Sequence, residues 1–313
     1  MVDARSEVAL LRLARVLQAS GSAFITVTPA THARVNARPG NAWARSAEDV
    51  FGGSRPFRAG VLAPPIFEAM RDAEVLEPHG EGWAARVRAS KLRGRLFLHS
   101  AVPTEAGDAV FFGPDTYRFA GAIARHLAGD SRVRRAVDIG CGAGPGAIVV
   151  AVERPDADVW AADINDGALR YTAINTRLAG AGRLSARHSN LLDNVDGHFD
   201  LIVANPPYLL DAQERTYRHG GGSLGEKLSL AIAELAGTRL APGGMLLLYT
   251  GTAITHGHDL FRAAVARCLD AAALQWNYQQ LDLDVFGEEL AEPADANADR
   301  TADVLVTARK AAA

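Results

Sequence analysis

Residues 105–313 are predicted to form an α/β domain built on a doubly wound sheet of seven strands. Three observations carry that expectation. Short apolar runs alternate with helix-length segments from residue 134 onward. A glycine-rich junction follows the first of these runs. The last two runs have no helix-length segment between them. Repeated strand–helix units imply a parallel sheet covered by helices on both faces. The closing pair implies an antiparallel hairpin at one edge.

The elements follow in order. Arg134–Ile139 reads as the first strand and Ala143–Val152 as its helix. Asp158–Ala162 and Asp166–Ala179 are the second pair, with short strands near 183–188 and 199–204. Ser223–Leu240 is expected to be a helix, with Ser223 as N-cap and Glu226 three residues on, a capping-box pattern. Met245–Tyr249 follows the turn Pro242-Gly243-Gly244. Residues 258–269 read as a helix, and 274–282 and 302–308 as the last strands.

Residues 1–104 are expected to form a separate small α+β domain. Helical spacing occurs at 6–18 and 64–76, where Ile66, Phe67, Met70 and Ala73 share a face. Residues 83–90 and 95–101 alternate loosely around Gly94, a β-hairpin pattern. Helices followed by a hairpin are compatible with a winged-helix-like module.

The net charge of −3 excludes a uniformly basic binder, but it conceals a split. Residues 1–100 carry 14 basic and 9 acidic side chains, and the remainder carries 19 and 27. Arg86, Arg88, Lys91, Arg93 and Arg95 crowd the predicted hairpin. They are either a solvated strand face or a surface for an acidic macromolecular partner. Cys141 and Cys268 form no metal-ligand spacing, and no run is long and apolar enough for a membrane span. A cytoplasmic chain with no metal is expected.

The glycine loop runs Asp138-Ile139-Gly140-Cys141-Gly142-Ala143-Gly144-Pro145. Glycines there let a ligand approach the backbone, and the following helix offers unpaired N–H groups. Asp163, at the end of the next strand, is placed for a ribose diol. Together these indicate a nucleoside-containing cofactor. Gly142–Ala147 also fits the Gly-x-Gly-x-x-Ala dinucleotide pattern, so NAD(P) is a competitor. Asp138 argues against it: an acid faces a pyrophosphate badly but pairs well with a cationic amino group.

The fourth strand ends in Asn205-Pro206-Pro207-Tyr208. Strand C-termini in such sheets are where ligands bind. Two prolines stiffen the backbone after Asn205. The Asn205 side-chain oxygen and the Pro206 carbonyl can each accept one N–H of a planar –NH2 group, and Tyr208 adds an aromatic face.

The run Asp138–Gly144 closely resembles the first motif of class I S-adenosylmethionine-dependent methyltransferases, and Asp163 matches the family's next acidic position. These enzymes have a Rossmann-like sheet. The resemblance implies S-adenosylmethionine as cofactor, with Asp138, Gly140, Gly142, Gly144 and Asp163 holding it. It also places Asn190 and Leu191 at the adenine. Asn-Pro-Pro-Tyr is the motif of N-methyltransferases acting on adenine N6 and on the glutamine side-chain amide. It implies a target-binding role for Asn205, Pro206, Pro207 and Tyr208. Residues 80–250 are similar to the HemK/PrmC-type glutamine methyltransferases. Their Pro-Arg-x-x-Thr-Glu motif corresponds to Phe111–Tyr117, where Pro114 and Thr116 are expected to close over the cofactor and the Arg and Glu are replaced. The N-terminal domain is then expected to recognise the substrate.

The segment 209–222, with Arg215, Tyr217, Arg218 and His219, is either a lid or a solvent loop. Alternatives to macromolecular N-methylation are methylation of a small molecule and a non-catalytic nucleoside-binding module.

Overall fold

The computed structural model describes residues 4–102, 107–129, 132–209, 218–222, 225–285, 287, 290 and 297–312. Residues 4–100 build four helices, α1 (Ala4–Ala19), α2 (Pro29–Asn36), α3 (Ala47–Phe51) and α4 (Pro64–Asp72). Two antiparallel hairpins follow: β1 (Leu76–His79) with β2 (Gly82–Ala85), and β3 (Val87–Leu92) with β4 (Arg95–Ser100). Leu10, Leu13, Leu17, Phe24, Phe51, Met70 and Leu98 form their shared core.

The remainder is the doubly wound sheet. Its elements are α5 (Pro114–Ala128), β5 (Arg135–Ile139), α6 (Pro145–Glu153), β6 (Asp158–Asp163), α7 (Asp166–Ala179) and β7 (Leu184–His188). They continue with β8 (Phe199–Ala204), α8 (Lys227–Arg239), β9 (Leu240–Thr255), β10 (His258–Asp259), α9 (Leu260–Ala271), β11 (Gln275–Asp282) and β12 (Arg300–Arg309). The strand order is β11-β12-β9-β8-β5-β6-β7, with the short β10 pairing β9. Strands β7, β6, β5, β8 and β9 are parallel, while β12 runs antiparallel to both β9 and β11. The expected edge hairpin is therefore present, with β11 outermost.

Apolar faces explain the layering. Phe119, Ile123 and Leu127 of α5 and Ala147 and Val150 of α6 bury against one sheet face. Ile232, Ala233 and Ala236 of α8 and Phe261, Val265 and Leu269 of α9 cover the other. Covered on both faces, β5 and β8 read as continuous apolar runs rather than alternating ones. Within these runs Asp138, the fourth of the five residues of β5, is a fully buried acid, 1% exposed. Strand order reverses between β5 and β8, so a crevice opens at their carboxyl ends.

Several boundaries differ from expectation. The predicted strand 83–90 divides into β2 and β3, which belong to different hairpins. The helix expected over 64–76 ends at Asp72, because Leu76 pairs with Ala85. The expected helix at 223 begins at Lys227 with Glu226 at its N-cap, and Ser223 lies outside the described residues. β9 runs well beyond 245–249, since β12 pairs with it from Met245 to Ile254. The helix α5 has no counterpart in the sequence expectation.

The basic hairpin requires a larger correction. Arg88 is 3% exposed and donates from Nη2 to the Gly52 carbonyl at 2.5 Å. Its burial lowers the guanidinium to about 10. β3 and β4 are wedged between the N-terminal core and α7. There, buried Asn175 accepts from Leu98 N–H at 2.9 Å and donates to the carbonyls of Leu98 and Ala143. Of the other four cations, Arg86 pairs with Glu77 and Arg93 with Glu153. Lys91 donates to the Gly21 carbonyl and Arg95 to the Arg93 carbonyl. The hairpin is chiefly a structural joint that ties the N-terminal core to the glycine loop.

Candidate active site

One large cleft occupies the crevice at the ends of β5 and β8. Asp138, Gly140, Gly142, Asp163, Asn190, Leu191, Thr116, Asn205, Pro206, Pro207 and Tyr208 all line it. The structure thus brings together eleven of the thirteen residues singled out from sequence. The other two, Pro114 and Gly144, stand outside its lining. Pro114 opens α5, where a missing N–H costs nothing. Gly144 is the left-handed N-cap of α6, and a Cβ there would press on Thr172 Oγ1 at 3.0 Å.

The glycine loop has two functions. At Gly140, φ is +70° and a Cβ would meet nothing within 4 Å, so the backbone lies open to a ligand. At Gly146, a Cβ would stand 2.6 Å from Asp138 Oδ2. Only glycine lets that carboxylate reach the α6 backbone, where Oδ2 accepts from Ala147 N–H at 2.8 Å. Asp138 Oδ1 is buried without a partner. Desolvation, with repulsion from Asp163 second, raises this carboxyl to about 7. A buried, half-satisfied carboxylate costs free energy that a cation in the cleft would recover.

Asp163 is held differently. Its Oδ2 accepts from Gly142 N–H and its Oδ1 from Asn165 N–H, both at 2.9 Å. Those bonds fix the carboxylate at the cleft wall with lone pairs to spare for hydroxyls. Burial nonetheless raises its pKa above the usual range. Beyond it, Ile164 presents a half-exposed apolar side chain to the cleft, opposite the exposed Asn190 and left-handed Leu191 (φ +48°). Cys141 lines the cleft, but burial pushes its thiol well up, away from a nucleophilic thiolate.

At the other end, Asn205 Nδ2 donates to Asp115 Oδ2 at 3.3 Å. Asn205 Oδ1 is buried without a partner. Tyr208, 8% exposed, lies flat on Gly251, where any Cβ would overlap its ring. Leu209 N–H bonds to the Arg218 carbonyl and Gly220 N–H returns to Leu209, so the chain folds back beside the motif. Arg218 lines the cleft. Arg215 and Tyr217 lie outside the described residues. Asp115, Phe119 and Ile164 also line the cleft and carry no motif signal in the sequence, while Arg218 belongs to the candidate lid segment. Asp115 sits between Pro114 and Thr116, the two motif positions singled out from sequence.

The lining suits S-adenosylmethionine: an orphaned carboxylate for the amino group, an open glycine backbone, and a second acid for a ribose. Among the described residues no group of three His, Cys, Asp or Glu is placed to hold a metal, and no helix is long and apolar enough to cross a membrane.

Comparison with known proteins agrees. Residues 119–273 match the family model "Methyltransferase small domain". The ribosomal protein uL3 glutamine methyltransferase of Neisseria gonorrhoeae is 34% identical over 146 residues, 43% of this chain and 48% of that protein. The release factor glutamine methyltransferase of the same organism is 33% identical over 193 residues, 53% of this chain and 69% of its own. The chain belongs to the HemK/PrmC-type class I methyltransferases. It spans about half the length of the uL3 methyltransferases that it matches. A tRNA methyltransferase structure from M. jannaschii superposes with a TM-score of 0.50 at 16% identity, covering 75% of this chain and 60% of that one, which shows the shared fold. HemK/PrmC-type enzymes take their methyl group from S-adenosylmethionine.

Proposed function

We propose that this chain transfers a methyl group from S-adenosylmethionine to a planar nitrogen of a macromolecule, the side-chain amide of a protein glutamine. The observation that carries this reading is the buried, unpartnered Oδ1 of Asn205 at the mouth of β8. It is an acceptor that asks for an N–H donor, held on a backbone stiffened by Pro206 and Pro207. The names of the relatives, two glutamine methyltransferases, favour an amide over an adenine amino group.

S-adenosylmethionine, when bound, supplies an activated methyl group on a sulfonium. Asp138 would hold its amino group, Asp163 its ribose hydroxyls, and Asn190, Leu191, Ile164 and Thr116 its base. The chain's remaining task is positioning. Asn205 Oδ1 and the Pro206 carbonyl each accept one N–H of the acceptor amide. That would fix the nitrogen plane and leave its lone pair free to attack the methyl group. Tyr208 offers its ring to the flat amide. No general base is required before transfer, because the nitrogen loses its proton afterwards.

The N-terminal unit, residues 1–104, is the part we assign to acceptor recognition in the cytoplasm. Arg86, Lys91, Arg93 and Arg95 contribute at most its rim, since Arg88 is interior. The test is labelled-methyl transfer into a cell lysate fractionated into protein, RNA, DNA and small molecules. Label in protein, lost on Asn205→Ala, supports the proposal. Label confined to nucleic acid or to small molecules refutes it, as does calorimetric binding of NAD in preference to S-adenosylmethionine.

A further inference from the structure

Asp115 is a buried carboxylate, 6% exposed, at the second position of α5. Its Oδ2 accepts the Asn205 Nδ2–H, its Oδ1 is buried without a partner, and the residue lines the same cleft. We propose that Asp115 is the positioning residue that decides which end of the Asn205 amide faces the acceptor. The inference rests on the reading of Asn205 as the acceptor-binding group.

The two ends of a carboxamide are nearly the same size, so hydrogen-bond partners alone set its orientation. An ionised carboxylate can only accept. Facing Asp115, Asn205 must present Nδ2 to it and turn Oδ1 to the cleft. A neutral carboxyl can donate as well. It would bond Asn205 Oδ1 equally well, rotate the amide and leave Nδ2 in the cleft, where a donor would meet the acceptor's own N–H. The ionised partner also polarises the amide, which strengthens Oδ1 as an acceptor.

The surroundings make this carboxylate sensitive. Arg118 on its own helix favours ionisation, but Arg118 is shared with Asp282 of β11 and Asp303 of β12 at 2.6 and 3.2 Å. Tyr249 of β9 donates to Asp303 at 2.5 Å. Asp303, Tyr249 and Tyr208 all face Asp115. Burial is the larger influence and raises the Asp115 pKa above the usual carboxylate range.

The primary test needs no turnover. The Asn205 side-chain amide resonances are followed by NMR across the whole pH range in which the protein stays folded, in the wild type and in the isosteric Asp115→Asn, with assignment from Asn205→Ala. The expected result is a titration in the wild type that is absent in Asp115→Asn. An Asn205 amide that ignores pH in both overturns the proposal. Activity then separates roles. Asp115→Ala should lower kcat/KM for a glutamine-bearing protein acceptor by between about ten- and a hundredfold. S-adenosylmethionine affinity should be unchanged, and Asp115→Ala should add nothing to the loss that Asn205→Ala causes by itself. A parallel loss of S-adenosylmethionine affinity would place Asp115 in the cofactor site and refute the proposal. Full activity in Asn205→Ala would instead refute the reading of the site, while the amide titration would still stand or fall by itself.

Discussion

Replacing Asp138 by Asn should stabilise the unliganded protein at pH 8 and weaken its hold on S-adenosylmethionine. The carboxyl is 1% exposed, one oxygen accepts from Ala147 N–H, and the other has no partner. Its pKa rises from 3.8 to about 7. The folded protein therefore keeps this proton up to about pH 7, while the unfolded chain releases it near pH 4. Because the folded state binds more protons across that window, stability falls as pH rises through it and stays low above it. Three pH units at about 1.4 kcal/mol each give a cost of roughly 4 kcal/mol at pH 8. Asn carries no charge to desolvate. The variant's advantage over the wild type should be about 3 kcal/mol greater at pH 8 than at pH 5. Asp303 titrates alike in both proteins and cancels in that difference. Urea unfolding of both proteins at the two pH values measures it, and calorimetry should show cofactor affinity reduced by about tenfold or more. A variant less stable than the wild type at pH 8, or one binding the cofactor equally well, would refute this account of Asp138.

Other substitutions test separate parts of the site. Asn205→Ala should leave cofactor binding nearly intact by calorimetry while abolishing methyl transfer. Gly251→Val places a side chain where the Tyr208 ring lies, so transfer should fall at least tenfold with the cofactor still bound. Gly225→Ala should act alike, because at φ +80° its Cβ would overlap the Tyr208 carbonyl; thermal melting should also show a loss of about 1–2 kcal/mol. Arg88→Ala should destabilise by about 2–3 kcal/mol without changing the salt dependence of acceptor binding, as expected of a buried joint. A salt slope that changes without loss of stability would return Arg88 to the surface.

The cofactor half of the site is legible in the sequence because its residues are close along the chain. A strand, a glycine turn and a helix start lie within Asp138–Pro145, and Asp163 ends the very next strand. Asn205 is legible for a similar reason: the two prolines after it leave the backbone few conformations. What lies across the cleft is less so. That Asp115 reaches Asn205 depends on α5 packing over the sheet, and 90 residues separate the two. The helix itself has Phe119, Ile123 and Leu127 at four-residue spacing, a helical period that the Pro114–Thr116 motif at its start obscures. Arg88 misleads because alternation predicts burial only when one strand face is wet. Here both faces of β3 are covered, so Val87, Arg88, Ala89 and Ser90 are all interior. The charge split between the two parts of the chain is real, but at Arg88 it points inward, not to a partner.

The most direct test of the central claim is to locate the methyl group. Protein labelled in the lysate by this chain and methyl-labelled S-adenosylmethionine is digested, and the modified residue is identified by fragmentation mass spectrometry. The expected result is one added methyl on the side-chain amide nitrogen of a glutamine, absent when Asn205→Ala replaces the wild type. A methyl on oxygen, carbon or a non-planar amine, or one that survives Asn205→Ala, would contradict it.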